Sequence, residues 1–327
     1  MVNTSFINNI FDVSLADFEN TALEVFHFQY NENKVYRQFV DTLKISKEEI
    51  TSLEKIPFLP ISFFKTHIVK TTFFESELVF ESSGTTQMNN SHHHVKDEKL
   101  YKQSFLQAFE EVYGNPEKWC ILGLLPSYLE RKNSSLVFMV NELINQSKND
   151  DSGFYLNEWE KLYATLKKLE TARQPVLLFG VTFALLDFFE RYSLPLHYTT
   201  IIETGGMKGR KDELTRAEVH AFIQQETGLK TIHSEYGMTE MLSQAYSKGK
   251  GVFECPGWMR VLVRDEDDPL QISKQGRGVL NIVDLANVYS CSFIATDDAG
   301  TVHKDGAFEV LGRVDNSDIR GCSLMAV

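Results

Sequence analysis

The pattern of apolar and polar positions changes twice along the chain. In residues 1–60 apolar side chains such as Phe18 and Ala22 recur at helical spacing, which predicts an amphipathic helical segment. Between residues 120 and 250 short apolar runs such as CILGLL, VLLFG and TTIIE alternate with segments of helical period. Beyond about residue 250 the helical period ends, and β-branched runs separated by Gly and Asp are typical of strands and turns.

Two features between these regions have clear boundaries. Residues 68–81 (IVKTTFFESELVFE) are rich in β-branched and aromatic side chains, which predicts a hairpin or strand pair leading into the hydroxyl-rich segment FESSGTTQMNNS. Asp97 is placed to cap a helix that Gly114 ends.

The alternation of strands and helices predicts an α/β fold with a largely parallel sheet flanked by helices. Helices are expected near residues 182–191 and 212–226. We therefore expect an α/β core with a helical N-terminal segment over residues 1–250 and a smaller β-rich subdomain over residues 251–327, packed together.

Composition excludes several classes of protein. With 327 residues, 43% apolar and 24% charged, the chain has the composition of a globular protein and not of a disordered one. A net charge of -12 argues against a nucleic-acid partner, which would require a concentrated basic surface. Because no stretch reaches the ~18 apolar residues of a membrane helix, we expect no membrane insertion and a cytoplasmic location.

The four cysteines lack CxxC spacing and are expected to be reduced. Cys322 is the sixth residue from the end of the sequence, where a thiol on a short tail can accept an acyl group; the alternative is a small semi-buried residue.

The hydroxyl-rich segment is the first candidate for chemistry. Its side chains offer hydroxyl donors, and the glycine lets the backbone approach a ligand closely, which suits phosphate; the alternative is an ordinary turn. The residues concerned are Ser82, Ser83, Gly84, Thr85 and Thr86.

Three further loops follow predicted strands. Gly205 and Gly206 follow the predicted strand TTIIE, after Thr204, and would permit close approach of a flat ligand. The segment EYGMTE offers an aromatic ring, a hydroxyl and a hard oxygen ligand for Mg²⁺, and the segment TDDAG offers two carboxylates. Taken singly, each loop also fits a turn or the start of a helix.

The order of these motifs resembles the motif series of the acyl-adenylate-forming superfamily. Within it, the chain is most similar to LuxE-type acyl-protein synthetases and to phenylacetate-CoA ligases, through ESSGTT, LLPSYLER, SLVFMVNELI, IETGGMKGR, HSEYGMTE and LGRVDNSDIRGCSLM. The resemblance extends from about residue 20 to the end and implies the core of the adenylate-forming fold. It also implies ATP and Mg²⁺ as cofactors.

Carried over by position, the resemblance implies a role for each motif. The Ser82–Thr86 segment would contact the ATP phosphates, and Gly205 and Gly206 would border the adenine. Tyr236 would stack on the adenine, Thr239 would bind the α-phosphate and Glu240 would hold Mg²⁺. Asp298 would bind the ribose hydroxyls with help from Arg313.

The chain departs from the family pattern in two places. Asp297 replaces the glycine of the T-G-D pattern. In the family, a domain beyond the hinge supplies a lysine to adenylation; this sequence ends twelve residues after Asp315, the matching hinge position, as is expected of LuxE-type proteins. Lys208 and Arg210 are surface candidates for the missing charge.

Two histidine features are open to interpretation. His233 directly precedes SEYGMTE and is expected at the strand end that faces the site, where it would orient the acyl carboxylate. The run His92, His93 and His94 has no metal-ligand spacing, so a structural or substrate-pocket role is expected.

The sequence therefore predicts ATP-dependent activation of a carboxylic acid, a fatty acid in the leading interpretation, followed by transfer of the acyl group to a protein cysteine. The acceptor would be Cys322 or a partner such as an acyl reductase. Two alternatives stay open: an acyl- or aryl-CoA ligase of the phenylacetate type, and a non-catalytic subunit that binds a nucleotide or acyl group.

Overall fold

The structure is a computed structural model that describes residues 5–82, 90–125, 133–156, 158–205 and 214–314. The α-helices that it contains are, in chain order, α1 (Phe18–Glu32), α2 (Lys34–Thr42), α3 (Phe63–Thr66), α4 (Glu98–Tyr113), α5 (Ser135–Ser147), α6 (Trp159–Ala172), α7 (Thr182–Arg191) and α8 (Arg216–Thr227). Short 3-10 helices cover Ser5–Asp12, Lys47–Glu49, Leu53–Lys55, Pro116–Lys118 and Leu285–Asn287.

The strands form two larger sheets and one hairpin. In chain order they are β1 (Leu59–Pro60), β2 (Leu78–Glu81), β3 (His92–Val95), β4 (Cys120–Leu124), β5 (Gly153–Phe154), β6 (Val176–Val181), β7 (Thr199–Thr204), β8 (His233–Tyr236), β9 (Ala245–Ser247), β10 (Val252–Phe253), β11 (Met259–Arg264), β12 (Ile272–Ser273), β13 (Gly276–Asp284), β14 (Phe293–Val302) and β15 (Phe308–Arg313).

The first sheet has the order β5-β4-β6-β7-β8-β9. All its pairs are parallel except β8 with β9. Strands β4 and β6 are buried along their whole length. Their unbroken apolar runs are typical of strands in a sheet that is covered on both faces. The predicted α/β fold with a largely parallel sheet is confirmed.

The second sheet is built mainly from the C-terminal part of the described chain. Its order is β10-β15-β14-β13-β11-β12, and these neighbours pair antiparallel. Strand β1 joins the sheet by pairing parallel to β14, with Leu59 opposite Ile294. The β-rich character predicted beyond residue 250 is confirmed, and the N-terminal segment supplies one strand to it.

The predicted strand pair over residues 68–81 is wrong. Only Leu78–Glu81 is a strand, and its partner is His92–Val95, which lies beyond the hydroxyl-rich segment. The earlier residues bond elsewhere: the backbone N–H of Thr71 donates to the Tyr289 carbonyl at 2.8 Å. Tertiary hydrogen bonds therefore override the β propensity of this run.

Helix boundaries follow local capping. Asp97 accepts the N–H of Lys99 and Gly114 ends α4 with a φ of 73°, as predicted. The helix expected over residues 212–226 begins later, at Arg216, because Thr215 and Glu218 form a capping box. Helix α6 was not predicted.

Within the described residues, the structure contains no helix that is both long and apolar enough to cross a membrane.

Candidate active site

The two sheets bring together three residues that are far apart in the sequence. Tyr236 ends β8, and its hydroxyl donates to Asp298 Oδ2 at 2.8 Å. Asp298 lies in β14 opposite Arg313 of β15, and Arg313 Nε is 3.3 Å from Asp298 Oδ1. This group, the Tyr236–Asp298–Arg313 cluster, joins the carboxyl end of a parallel strand to the antiparallel sheet.

Tyr236 is held in an aromatic setting. Its ring packs edge-on against Phe308, with 5.3 Å between the centroids, and lies 5.9 Å from Phe253. Burial, together with the negative charge of Asp298, raises the pKa of Tyr236 well above its ordinary value. The phenol therefore stays protonated and acts as a hydrogen-bond donor to the carboxylate.

The segment after Tyr236 carries Thr239 and Glu240 and is fixed at its far end by Asp284. The buried carboxylate of Asp284 accepts the N–H groups of Leu242 and Ser243 at 2.9 and 3.0 Å, and the Ser243 hydroxyl at 2.6 Å. Three donors on one carboxylate hold the loop in a single conformation.

Glu240 is buried, with 5% of its surface exposed. Burial raises the pKa of its carboxyl, whereas a hydrogen bond from Ser91 and the charges of Arg313 and Lys65 act in the opposite direction. Glu240 therefore lies in the field of cations from two separate elements, β15 and α3.

Ser91 also belongs to the base of the hydroxyl-rich segment. The backbone N–H of Ser82 donates to the Ser91 carbonyl at 3.1 Å, and the Ser91 N–H donates to Ser82 Oγ at 2.9 Å. Because Ser91 bonds Glu240 as well, the predicted phosphate segment starts and ends beside the predicted Mg²⁺ ligand.

Gly205 follows the last residue of β7. Thr204 pairs with Glu235 in the parallel register, so the residues that come next, Gly205 and Tyr236, lie side by side at one edge of the sheet. A Cβ on Gly205 would meet no atom of the described residues within 4 Å, so no described side chain fills the space beside it.

Several predicted site residues lie outside the described residues, so the predictions made for them stay predictions. They are Ser83, Gly84, Thr85, Thr86, Gly206, Lys208, Arg210 and Cys322.

His233 does not lie at the expected end of its strand. It is the first residue of β8, whereas Tyr236 is the last, and its Nδ1 is 3.2 Å from the Tyr113 hydroxyl. Burial lowers the pKa of His233 to about 4. The predicted position is therefore wrong because the strand begins, and does not end, at this residue.

Two buried carboxylates beside the site were missed. Glu203 accepts hydrogen bonds from Thr182 and Ser234 and lies 3.6 Å from Arg216 Nε. Burial acts to raise the pKa of Glu203, but His220, Thr182 and Arg216 outweigh it and lower the pKa.

The second, Glu235, accepts the Thr204 hydroxyl at 2.8 Å, and burial raises its pKa to about 7. The signal for Glu203 was an acidic side chain next to the apolar residues of TTIIE, whereas Glu235 lies in the polar run HSEY and had no such signal.

Glu240 offers one carboxylate to a magnesium ion. Among the described residues, no group of three or more His, Cys, Asp or Glu side chains is arranged to hold a metal ion. Mg²⁺ is commonly bound by one or two carboxylates together with substrate phosphates, so the arrangement around Glu240 fits that mode.

Comparisons with known proteins identify a family and a fold to which this chain is similar. The model of the family described as "Acyl-protein synthetase, LuxE" matches residues 13–326. The long-chain-fatty-acid–luciferin-component ligase of Aliivibrio fischeri is 22% identical over 331 residues, which cover 92% of this chain and 85% of that protein.

Solved structures share the fold. The luciferase-like enzyme of the mealworm Zophobas morio has a TM-score of 0.51 and 14% identity over 75% of this chain, which covers 60% of that protein. A long-chain-fatty-acid-CoA ligase of Archaeoglobus fulgidus has a TM-score of 0.50 and 13% identity over 72% of this chain, which covers 51% of that protein. This chain spans only half to three fifths of these longer enzymes, and the likeness establishes the adenylate-forming fold.

Proposed function

The chain belongs to the LuxE acyl-protein synthetase family and is thus an acyl-adenylating ligase; we propose that it activates a fatty acid with ATP and transfers the acyl group to a protein cysteine. The observation that carries the proposal is the convergence of the Tyr236–Asp298–Arg313 cluster with Glu240 and the base of the hydroxyl-rich segment. The fatty-acid class is supported by the name of the Aliivibrio fischeri relative.

The nucleoside would bind at the Tyr236–Asp298–Arg313 cluster. A carboxylate has about four acceptor sites, so Asp298 can accept two ribose hydroxyls while it keeps its contacts to Tyr236 and Arg313. The space beside Gly205 would accept the adenine next to the ring of Tyr236. The Tyr236–Asp298 bond would hold both groups in position before the ligand arrives.

The phosphates would lie between the hydroxyl-rich segment and Glu240. Thr239 is adjacent to Glu240 and would donate its hydroxyl to the α-phosphate. Mg²⁺ held by Glu240 would neutralise the phosphate charge as the reaction proceeds. Burial raises the pKa of Glu240, and the charges of Arg313 and Lys65 offset part of that rise and so favour the ionised form that binds a cation.

In the first step, a carboxylate oxygen of the fatty acid attacks the α-phosphorus. A new P–O bond forms, the bond from the α-phosphorus to the bridging oxygen breaks, and pyrophosphate leaves with that electron pair. In the second step, a cysteine thiolate attacks the acyl carbonyl, and AMP leaves as the thioester forms. We propose Cys322 as this thiol and an acyl-acceptor protein, such as a reductase, as the recipient of the group.

Acyl-dependent exchange of labelled pyrophosphate into ATP tests the first step. Asp298→Asn should lower exchange by at least about tenfold because the amide loses acceptor capacity for the ribose hydroxyls. Asp297→Asn is the matched control, since neighbouring residues of a strand point to opposite faces. Exchange by the wild type that does not depend on fatty acid would contradict the proposal.

Labelled fatty acid tests the second step. With ATP and Mg²⁺ we expect a protein adduct that hydroxylamine removes, and Cys322→Ser should abolish it. Cys255→Ser is the control because Cys255 is a partly exposed free cysteine of the described chain. Release of a CoA thioester without an adduct would favour a CoA ligase instead.

A further inference from the structure

His93 is a fully buried side chain that touches two segments remote from it in the sequence. Its Nδ1 lies 2.8 Å from the backbone carbonyl of Thr239, and its Nε2 lies 2.9 Å from Oδ1 of Asn287. Both His93 and Asn287 have 0% of their surface exposed. Such contacts in a dry interior are costly to leave unmade.

Asn287 extends the contact to the next residue. Its Nδ2 donates to the Glu240 carbonyl at 2.8 Å and to the Cys291 carbonyl at 2.9 Å. Two successive carbonyls, those of Thr239 and Glu240, are therefore bonded by two side chains that also contact each other. This fixes the peptide that joins the two residues.

The proton on His93 can be placed from its partners. Burial lowers the pKa of His93 to about 4, so the ring is neutral near pH 7 and carries one N–H. The Thr239 carbonyl and Asn287 Oδ1 both accept, so the single proton serves only one of them, and we assign it to Nδ1, the nitrogen with the shorter contact at 2.8 Å. The bond from His93 to Thr239 is therefore the one that a neutral ring supplies.

His93 shares a strand face with Ser91. The two residues are separated by one position, so both side chains point to the buried face at the start of β3. The Ser91 side chain bonds the Glu240 carboxyl and His93 contacts the Thr239 carbonyl, while the backbone of Ser91 exchanges hydrogen bonds with Ser82. The residues that lead into β3 thus contact Ser82 through their backbone and the Thr239–Glu240 segment through their buried face.

We propose that His93 is a positioning residue that locks the Thr239–Glu240 peptide to the strand that follows Ser91, so that Ser82 and the Glu240 carboxylate keep a fixed separation. This inference rests on the proposed function of those two segments. It assigns a purpose to the middle histidine of the His92–His94 run, which a metal site does not explain.

Two substitutions separate the contacts of the ring. His93→Asn keeps an N–H donor near the position of Nδ1, facing Thr239, whereas His93→Gln places its donor near the position of Nε2, facing Asn287. His92→Asn is the matched control because His92 is the exposed neighbour, with 47% of its side chain accessible.

Pyrophosphate exchange and calorimetric binding of Mg–ATP without fatty acid are the two measurements. We expect His93→Gln to lower the kcat of exchange about tenfold or more with a smaller change in the KM for ATP, and to weaken Mg–ATP binding. His93→Asn should retain both within about threefold, and thermal unfolding should confirm that each variant is folded.

Equal losses in both variants, or no loss in His93→Gln, would overturn the inference, because a ring that only fills space would not distinguish the two amides. If the wild type binds Mg–ATP but shows no acyl-dependent exchange, the proposed reaction is wrong. The affinities of His93→Gln and His93→Asn for Mg–ATP, each relative to the wild type, still decide the role of His93. A wild type that binds no Mg–ATP would overturn both.

Discussion

Replacing Glu235 with Gln should make the stability of the protein less dependent on pH. Glu235 lies in β8 and is buried, and its Oε2 accepts the Thr204 hydroxyl at 2.8 Å. Burial raises the pKa of this carboxyl from 4.5 to about 7. The folded protein therefore holds a proton that the unfolded chain releases over this range.

The sign and magnitude follow from linkage. Below pH 4.5 the carboxyl is protonated in both states, so its pKa difference carries no penalty. As the pH rises from 4.5 to 7, ionisation of Glu235 in the unfolded chain lowers the free energy of unfolding, and above pH 7 this loss of stability is complete. At about 1.36 kcal/mol per tenfold change in acidity, the loss amounts to about 3 kcal/mol.

The assay is urea unfolding of the wild type and Glu235→Gln between pH 5 and pH 8. Gln does not titrate and keeps an oxygen acceptor for Thr204, so its free energy of unfolding relative to the wild type should rise with pH by up to about 3 kcal/mol. Glu24→Gln, an exposed site on α1, should show no such trend. A difference between wild type and Glu235→Gln that stays constant with pH would refute the reasoning.

Two further predictions concern the same region. Gly237→Ala should destabilise the protein by about 1–3 kcal/mol in urea unfolding, because a Cβ there would lie 2.4 Å from Glu235 Oε1. Gly153→Ala is the control, because its Cβ would meet no atom of the described residues within 4 Å. An equal loss of stability in the two variants would contradict this prediction. Lys65→Met should raise the pKa of Glu240 and shift the pH midpoint of Mn²⁺–ATP binding upward, whereas Lys230→Met should not; an unmoved midpoint would show that Lys65 does not act on Glu240.

Much of the fold was readable because local rules and tertiary contacts agree. The buried runs of β4 and β6 and the caps of α4 carry their signal within a few residues. The run over residues 68–81 was misread because the backbone N–H of Thr71 bonds Tyr289, and only Leu78–Glu81 pairs with a strand, which lies beyond the run. No local pattern records a partner more than 200 residues away.

The candidate site divides in the same way. Tyr236, Glu240 and Asp298 were selected by motif order, and their roles as ligand contacts stay predictions. The bond between Tyr236 and Asp298 appears only when β8 meets β14. Asn287 and Glu235 were not assigned roles, and the histidine run that contains His93 was given only a structural or substrate-pocket role, because the partners of these side chains come from other elements.

The sequence by itself indicated the strands of the parallel sheet, the caps of α4 and the loops predicted to bind phosphate, since periodicity, caps and glycine-containing motifs are local properties of the chain. Tertiary structure alone decided the register of β1 on β14, the end of β8 on which His233 lies, and the contact of His93 with Thr239. The physical reason is that burial and hydrogen bonding depend on the partner supplied by the fold, so the chemistry of a side chain such as Glu235 is set only after the sheets have packed.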